Sequence, residues 1–146
     1  LLSFSVYFYL FICLYKGARD CPAGWTDNKG SCYKLSGDFL RWELASFTCN
    51  DLSATLVEID NDEEMDFLNK WLFLEKDTFW TGGTDKAEVY KMTYYNWYSG
   101  RDVNSLDELK NCIQLNKTYG TIQDSYFFVD GMCSTEQRYI CELKRK

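Results

Sequence analysis

Hydrophobic residues along this chain follow three successive patterns. Leu1 to Tyr15 is almost wholly apolar and aromatic, and Lys16 to Asp20 then turn polar. Helix-like spacing comes next. Phe39 to Cys49 has no Gly or Pro, and Trp42, Ala45 and Cys49 fall three and four apart, which predicts one buried helical face. Ala54 to Ile59 is strand-like. Asp60-Asn61 then caps a second predicted helix, with Glu64 three residues beyond Asn61 and a buried stripe of Phe67, Leu68, Trp71 and Leu72. From Phe79 onward short aromatic and β-branched runs are split by Gly, Asn and Asp. These runs, Phe79-Trp80-Thr81, Met92 to Trp97, Cys112 to Leu115, Tyr126 to Val129 and Arg138 to Glu142, read as strands. Ahead of both helices, Cys21 to Tyr33 reads as a hairpin turning at Asn28-Lys29-Gly30. Two helices followed by antiparallel strands predict an α+β fold.

Composition narrows what such a fold can do. The 146 residues suit one domain, and 46% apolar residues with a single proline argue for a packed core. Five Trp, 11 Tyr and 10 Phe are more than a core this size needs, and surplus tyrosines suit recognition surfaces. A net charge of -6 argues against nucleic acid and anionic membranes as partners, and the tail Lys144-Arg145-Lys146 is too short to reverse it. The chain has no histidine, which removes Ser-His-Asp and Cys-His nucleophiles, His-based zinc sites and the usual near-neutral base. Carboxylate pairs could still act as acid and base. The densest acidic run, Asp60, Asp62, Glu63, Glu64 and Asp66, reads as a solvated helix start. No catalytic residue is predicted.

The apolar run at residues 1–18 fits a signal peptide better than a full membrane span, with the end of a type II anchor as the alternative. Either one places residues 19–146 in an oxidising compartment, secreted or at the cell surface. Removing Cys13 with this segment leaves six cysteines, an even number suited to a disulfide framework, although spacing alone does not choose the pairing. In an anchored protein Cys13 could instead cross-link two chains.

An ordered set of motifs then carries a resemblance. Cys21-Pro-x-Gly-Trp25, Trp42-x-x-Ala45-x-x-x-Cys49, Glu64-x-x-Phe67-Leu68, Trp80-Thr-Gly-Gly83, Asn96-Trp97-x-x-Gly100, Cys112 and the ending Cys133 to Cys141-Glu142 resemble the C-type lectin-like domain family over residues 21–143. The phrase from Met92 to Gly100 is similar to small soluble invertebrate lectins. The resemblance implies two helices on antiparallel sheets, a long loop region, and the pairs Cys21–Cys32, Cys49–Cys141 and Cys112–Cys133. It also implies a calcium-dependent sugar site built from a Glu-Pro-Asn or Gln-Pro-Asp triplet, a later Glu and a Trp-Asn-Asp triplet. Calcium needs six to eight oxygens, and vicinal sugar hydroxyls can complete its shell.

This chain departs from that site almost throughout. The first triplet position reads Arg101-Asp102-Val103, the Glu position two before Cys112 is Lys110, and the last triplet is Phe128-Val129-Asp130. Cations where carboxylates should face a divalent ion turn attraction into repulsion. Asp102, Asn104 and Asp130 remain as weak metal candidates, and the expected cofactor is none. The stretch between Gly83 and Tyr94 is also shorter than the family pattern.

Trp25, Trp42, Trp80 and Trp97 are read as core, and Tyr98, Tyr119 and Tyr126 as either surface fill or contact residues. Asp130 is read as a turn cap before Gly131. Asn116-Lys117-Thr118 is the one Asn-x-Ser/Thr sequon and a candidate glycan acceptor. The expected function is non-enzymatic recognition of a carbohydrate or protein ligand through Tyr98 to Asn111 together with Tyr126 to Asp130. Arg101 and Lys110 are the candidate donors, Asp102, Asn104, Glu108 and Asp130 the acceptors, and Tyr98 a contact. Competing expectations are an acidic matrix protein at mineral or ice surfaces, a calcium-dependent sugar-binding lectin using a shifted set of loop carboxylates (Asp102 and Asn104, with Asp107 and Glu108 nearby), and a small secreted hydrolase. A homo-oligomer would add avidity, though nothing in the sequence encodes one.

Overall fold

A computed structural model describes residues 20–84, 112–118 and 124–145. The hairpin forms as expected from Thr26–Asn28 (β1) and Ser31–Leu35 (β2). Asn28 pairs with Ser31 across Lys29-Gly30, whose φ angles of 44° and 88° are those a tight two-residue hairpin turn demands. The first helix, Trp42–Asp51 (α1), starts later than the Phe39 to Cys49 pattern suggests. Leu40 is already committed elsewhere: it exchanges backbone bonds of 2.9 and 3.0 Å with Gln137, so the chain turns helical only after that bridge. Of the run Ala54 to Ile59 only Thr55–Leu56 (β3) is a strand. The second helix, Asp62–Trp71 (α2), starts where the cap predicts, with Asn61 Oδ1 accepting from the Glu64 N–H at 2.9 Å. Phe79–Thr84 (β4), Cys112–Thr118 (β5), Ser125–Gly131 (β6) and Arg138–Lys144 (β7) complete the set.

The strands join in the order β1-β2-β7-β4-β5-β6, with β3 added on β7. The expectation of purely antiparallel pairing is corrected at one place. After the β5–β6 hairpin the chain returns to the opposite edge of β4, so β7 runs parallel to it at Phe79–Trp80.

Alternation along the strands sorts side chains onto the two sheet faces. One face carries Tyr33, Val57, Phe79, Ile113, Leu115, Tyr126, Phe128 and Ile140, packed with Met65 and Leu68 of α2 and Leu72 just beyond its end. The other carries Leu56, Trp80, Cys112, Tyr139 and Cys141, packed with Trp42, Ala45 and Cys49 of α1. All three disulfides implied by the resemblance are present: Cys21–Cys32, Cys49–Cys141 and Cys112–Cys133, with Cα separations of 5.6, 5.4 and 5.2 Å. Cys49–Cys141 ties α1 to β7, the strand between the hairpin and β4.

Candidate ligand-binding site

The predicted contact region, including Tyr98, Arg101, Asp102, Asn104, Glu108 and Lys110, lies outside the described residues, as do Trp97, Tyr119 and residues 1–18. What the structure describes is the frame that this region leaves and rejoins. Thr84, closing β4, and Cys112, opening β5, are register partners on adjacent strands. Cys112 also faces Gly131 across β6 and is bonded to Cys133.

Three polar side chains beneath that frame are matched. Trp42 Nε1–H donates to the Thr81 carbonyl at 2.8 Å, Thr81 Oγ1–H to the Ile113 carbonyl at 2.9 Å, and Trp80 Nε1–H to the Leu40 carbonyl at 3.0 Å. These bonds let two tryptophans lie buried without an orphaned N–H. Gln137 donates to the Gln114 side-chain oxygen, which fills the space beside Gly131. A Cβ on Gly131 would sit 2.6 Å from that oxygen and 3.1 Å from the Trp80 ring, so a larger residue there would have to displace the Gln114 amide.

β6 borders the same frame. Tyr126, Phe128 and Asp130 alternate inward and are 1%, 1% and 4% exposed, whereas Phe127 and Val129 lie half-buried on the opposite face. Two readings are corrected here. Tyr126 is a core residue, its hydroxyl donating to the Glu75 carbonyl at 3.1 Å. Asp130 sits within β6, opposite Ile113, and not in a turn.

The same geometry tests whether the family-type calcium set fits. Of the Trp-Asn-Asp positions, Phe128 is core and Val129 has no oxygen to give. Asp130 is the one carboxylate, and it lies on the core side. At this triplet one of the three family-type oxygen donors remains. Among the described residues no group of three or more Cys, Asp or Glu is gathered for a metal.

A second polar feature lies where the hairpin, the start of α2 and the end of β7 meet. It is a recess of about 260 Å³ lined by Ser31, Tyr33, Asp60, Glu64, Glu142 and Lys144, among others. The reading of the acidic run as solvated holds for Asp60, Asp62, Glu63 and Asp66 and is corrected for Glu64, which is buried. Tyr33 O–H donates to Glu64 Oε1 at 2.7 Å, and the Asp60 N–H donates to Oε2 at 3.0 Å. Glu142, 2% exposed, accepts from Ser31 Oγ–H at 2.8 Å and from the Glu58 N–H at 3.2 Å. Burial, and then the neighbouring Glu64 charge, push the Glu142 carboxyl above the ordinary carboxylate value, while Ser31 and Glu58 oppose the shift. Burial and the bond to Glu64 likewise drive the Tyr33 hydroxyl far up. With both carboxylates fully engaged, the recess braces the hairpin against α2 and β7. Sequence reasoning missed this pair, although Glu64 occupied the capping-box position that hinted at a second partner.

Scaffold, cysteine pairing and loop frame together identify the architecture. A model of the Lectin C-type domain matches residues 38–143. The chain belongs to the C-type lectin domain family. Among its relatives is one chain of a snaclec coagulation factor IX/factor X-binding protein of Echis carinatus, 31% identical over 85% of this chain and 100% of the relative. Asialoglycoprotein receptor 2 of Mus musculus is 29% identical over 88% of this chain, which spans only 44% of that receptor. The human scavenger receptor C-type lectin carbohydrate-recognition domain superposes with a TM-score of 0.72 at 26% identity, covering 86% of this chain and 100% of that domain.

Proposed function

We propose that this C-type lectin domain is a non-enzymatic recognition module that binds a carbohydrate or protein ligand through the region of Tyr98 to Asn111, without the family-type calcium ion. The observation that carries this reading is the contrast at the loop frame. Among the described residues the Cys112–Cys133 bond and the hydrogen-bonded Trp42, Trp80 and Thr81 that hold the frame are in place. The positions that would grip calcium read Arg101, Val103, Lys110, Phe128 and Val129. Recognition then falls to charge-assisted hydrogen bonds, with Arg101 and Lys110 donating, Asp102, Asn104 and Glu108 accepting, and Tyr98 offering a flat amphipathic contact. Asp130, withdrawn into β6, supports the floor of the site. The snaclec relative is named for binding coagulation factors, which supports proteins as one ligand class for this scaffold.

Residues 1–18 serve in this reading as a secretion signal, and residues 19–146 as the secreted domain. Among the described residues no helix is long and apolar enough to cross a membrane. The test is a glycan array probed with the full chain, alongside a panel of extracellular proteins, each with and without EDTA. Binding that survives chelation is expected, and loss of all binding on adding EDTA would sink the proposal.

A further inference from the structure

Asn116, Lys117 and Thr118 form the sequon of the chain, and they lie within β5. Residues two apart in a strand share a face, so Asn116 and Thr118 project away from the core that takes Ile113 and Leu115. Asn116 is exposed. Its register partner on β6 is Phe127, which alternates out of the core between buried Tyr126 and Phe128 and is itself half-buried. Directly opposed residues in an antiparallel pair place their Cβ atoms about 4.5–5.5 Å apart, within reach of a group attached to the amide.

We propose that Asn116 carries an N-linked glycan whose first sugar ring packs its apolar face against Phe127. The amide nitrogen of Asn116 bonds to the anomeric carbon of an oligosaccharide carried on a lipid pyrophosphate. The bond from that carbon to the pyrophosphate breaks, the pyrophosphate leaves with the electron pair, and the amide proton passes to the base of the transferase. The three disulfides place the chain in the oxidising compartment where this transfer occurs. Transfer to the chain before β5 pairs meets no obstacle, and folding afterwards leaves the sugar in solvent because its attachment point faces outward. One consequence follows from its place in the sheet. The glycan covers an aromatic ring that the fold leaves half-buried. The glycan site is independent of what the loop region binds.

The experiment is the intact mass of the full chain, secreted from a glycosylating eukaryotic host, before and after peptide-N-glycosidase. A single glycan released with conversion of Asn116 to Asp is expected. It should be absent in Asn116→Gln and Thr118→Ala and retained in Thr118→Ser. An unmodified Asn116 in the secreted wild-type protein overturns the site. Thermal unfolding then tests the contact with Phe127. The glycosylated protein should melt above the enzymatically deglycosylated one, and that difference should disappear in Phe127→Thr. An equal difference in Phe127→Thr, or none in the wild type, overturns the packing of sugar on ring.

Discussion

The two faces of the sheet are held by different means. On the α1 face the helix is covalently tied to β7 by Cys49–Cys141, and both tryptophan N–H groups are matched by backbone carbonyls. On the α2 face no disulfide crosses between helix and sheet. There Tyr33, Phe67 and Trp71 cluster with ring centroids 4.9 to 6.3 Å apart, and two buried carboxylates are tied down by Tyr33 and Ser31. The difference follows from what each face supports. The α1 face packs beneath Trp80 of β4 and Cys112 of β5, and a covalent clip holds its helix to β7. The α2 face supports the hairpin and the chain end, where packing and hydrogen bonds suffice.

The largest effect is expected on the clipped face. Removing Cys49–Cys141, which closes a separation of 92 residues, in the double variant Cys49→Ala/Cys141→Ala should cost about 4–5 kcal/mol in denaturant unfolding. A loss under about 1 kcal/mol would mean that the α1 face does not depend on its clip. On the other face Leu68, fully buried under the sheet, should cost about 2–5 kcal/mol when cut to Ala. Tyr33→Phe keeps the ring and removes the donor to Glu64. A loss of about 1–2 kcal/mol is expected, and an unchanged midpoint would show that Glu64 finds another donor.

The smallest effect is a pH dependence. The Glu142 carboxyl titrates above its ordinary value of 4.5 in the fold, so protonation favours the folded state. Its contribution is complete below the unfolded value and is lost as pH rises through the raised folded value. Glu58, whose carboxyl is pushed up mainly by burial, acts in the same direction, and Glu64, Asp60 and Lys144 complete the charged surroundings. Wild-type stability measured relative to Glu142→Gln should therefore fall as pH rises above 4.5 and through the raised folded value. A flat difference would show that the bonds from Ser31 and Glu58 cancel the cost of burial.

Much of this was legible in the sequence, for identifiable reasons. Trp42, Ala45 and Cys49 announced the buried face of α1, and Asn61 marked the start of α2, because both signals are local. The misread residues depend on distant partners. Glu64 looked solvated in its acidic run until Tyr33, 31 positions away, bonded to it. Glu142 has its hydroxyl donor 111 positions away at Ser31. Leu40 left the helix for Gln137, and Tyr126 turned inward with Phe128, choices made by sheet register. At the proposed binding site the sequence spoke mainly through what had been replaced. Arg101 and Lys110 lie outside the described residues, and the structure bears on that substitution only at Phe128, Val129 and Asp130.

In the proposed reading the scaffold of a C-type lectin is kept while its calcium grip is gone. Thermal unfolding of the full chain in millimolar calcium and in EDTA is the decisive comparison. An ion bound only by the native state stabilises it by about 2.7 kcal/mol at a hundredfold excess over its Kd. Superimposable melting curves are expected. An upward shift in calcium that EDTA reverses would contradict the loss of the ion site.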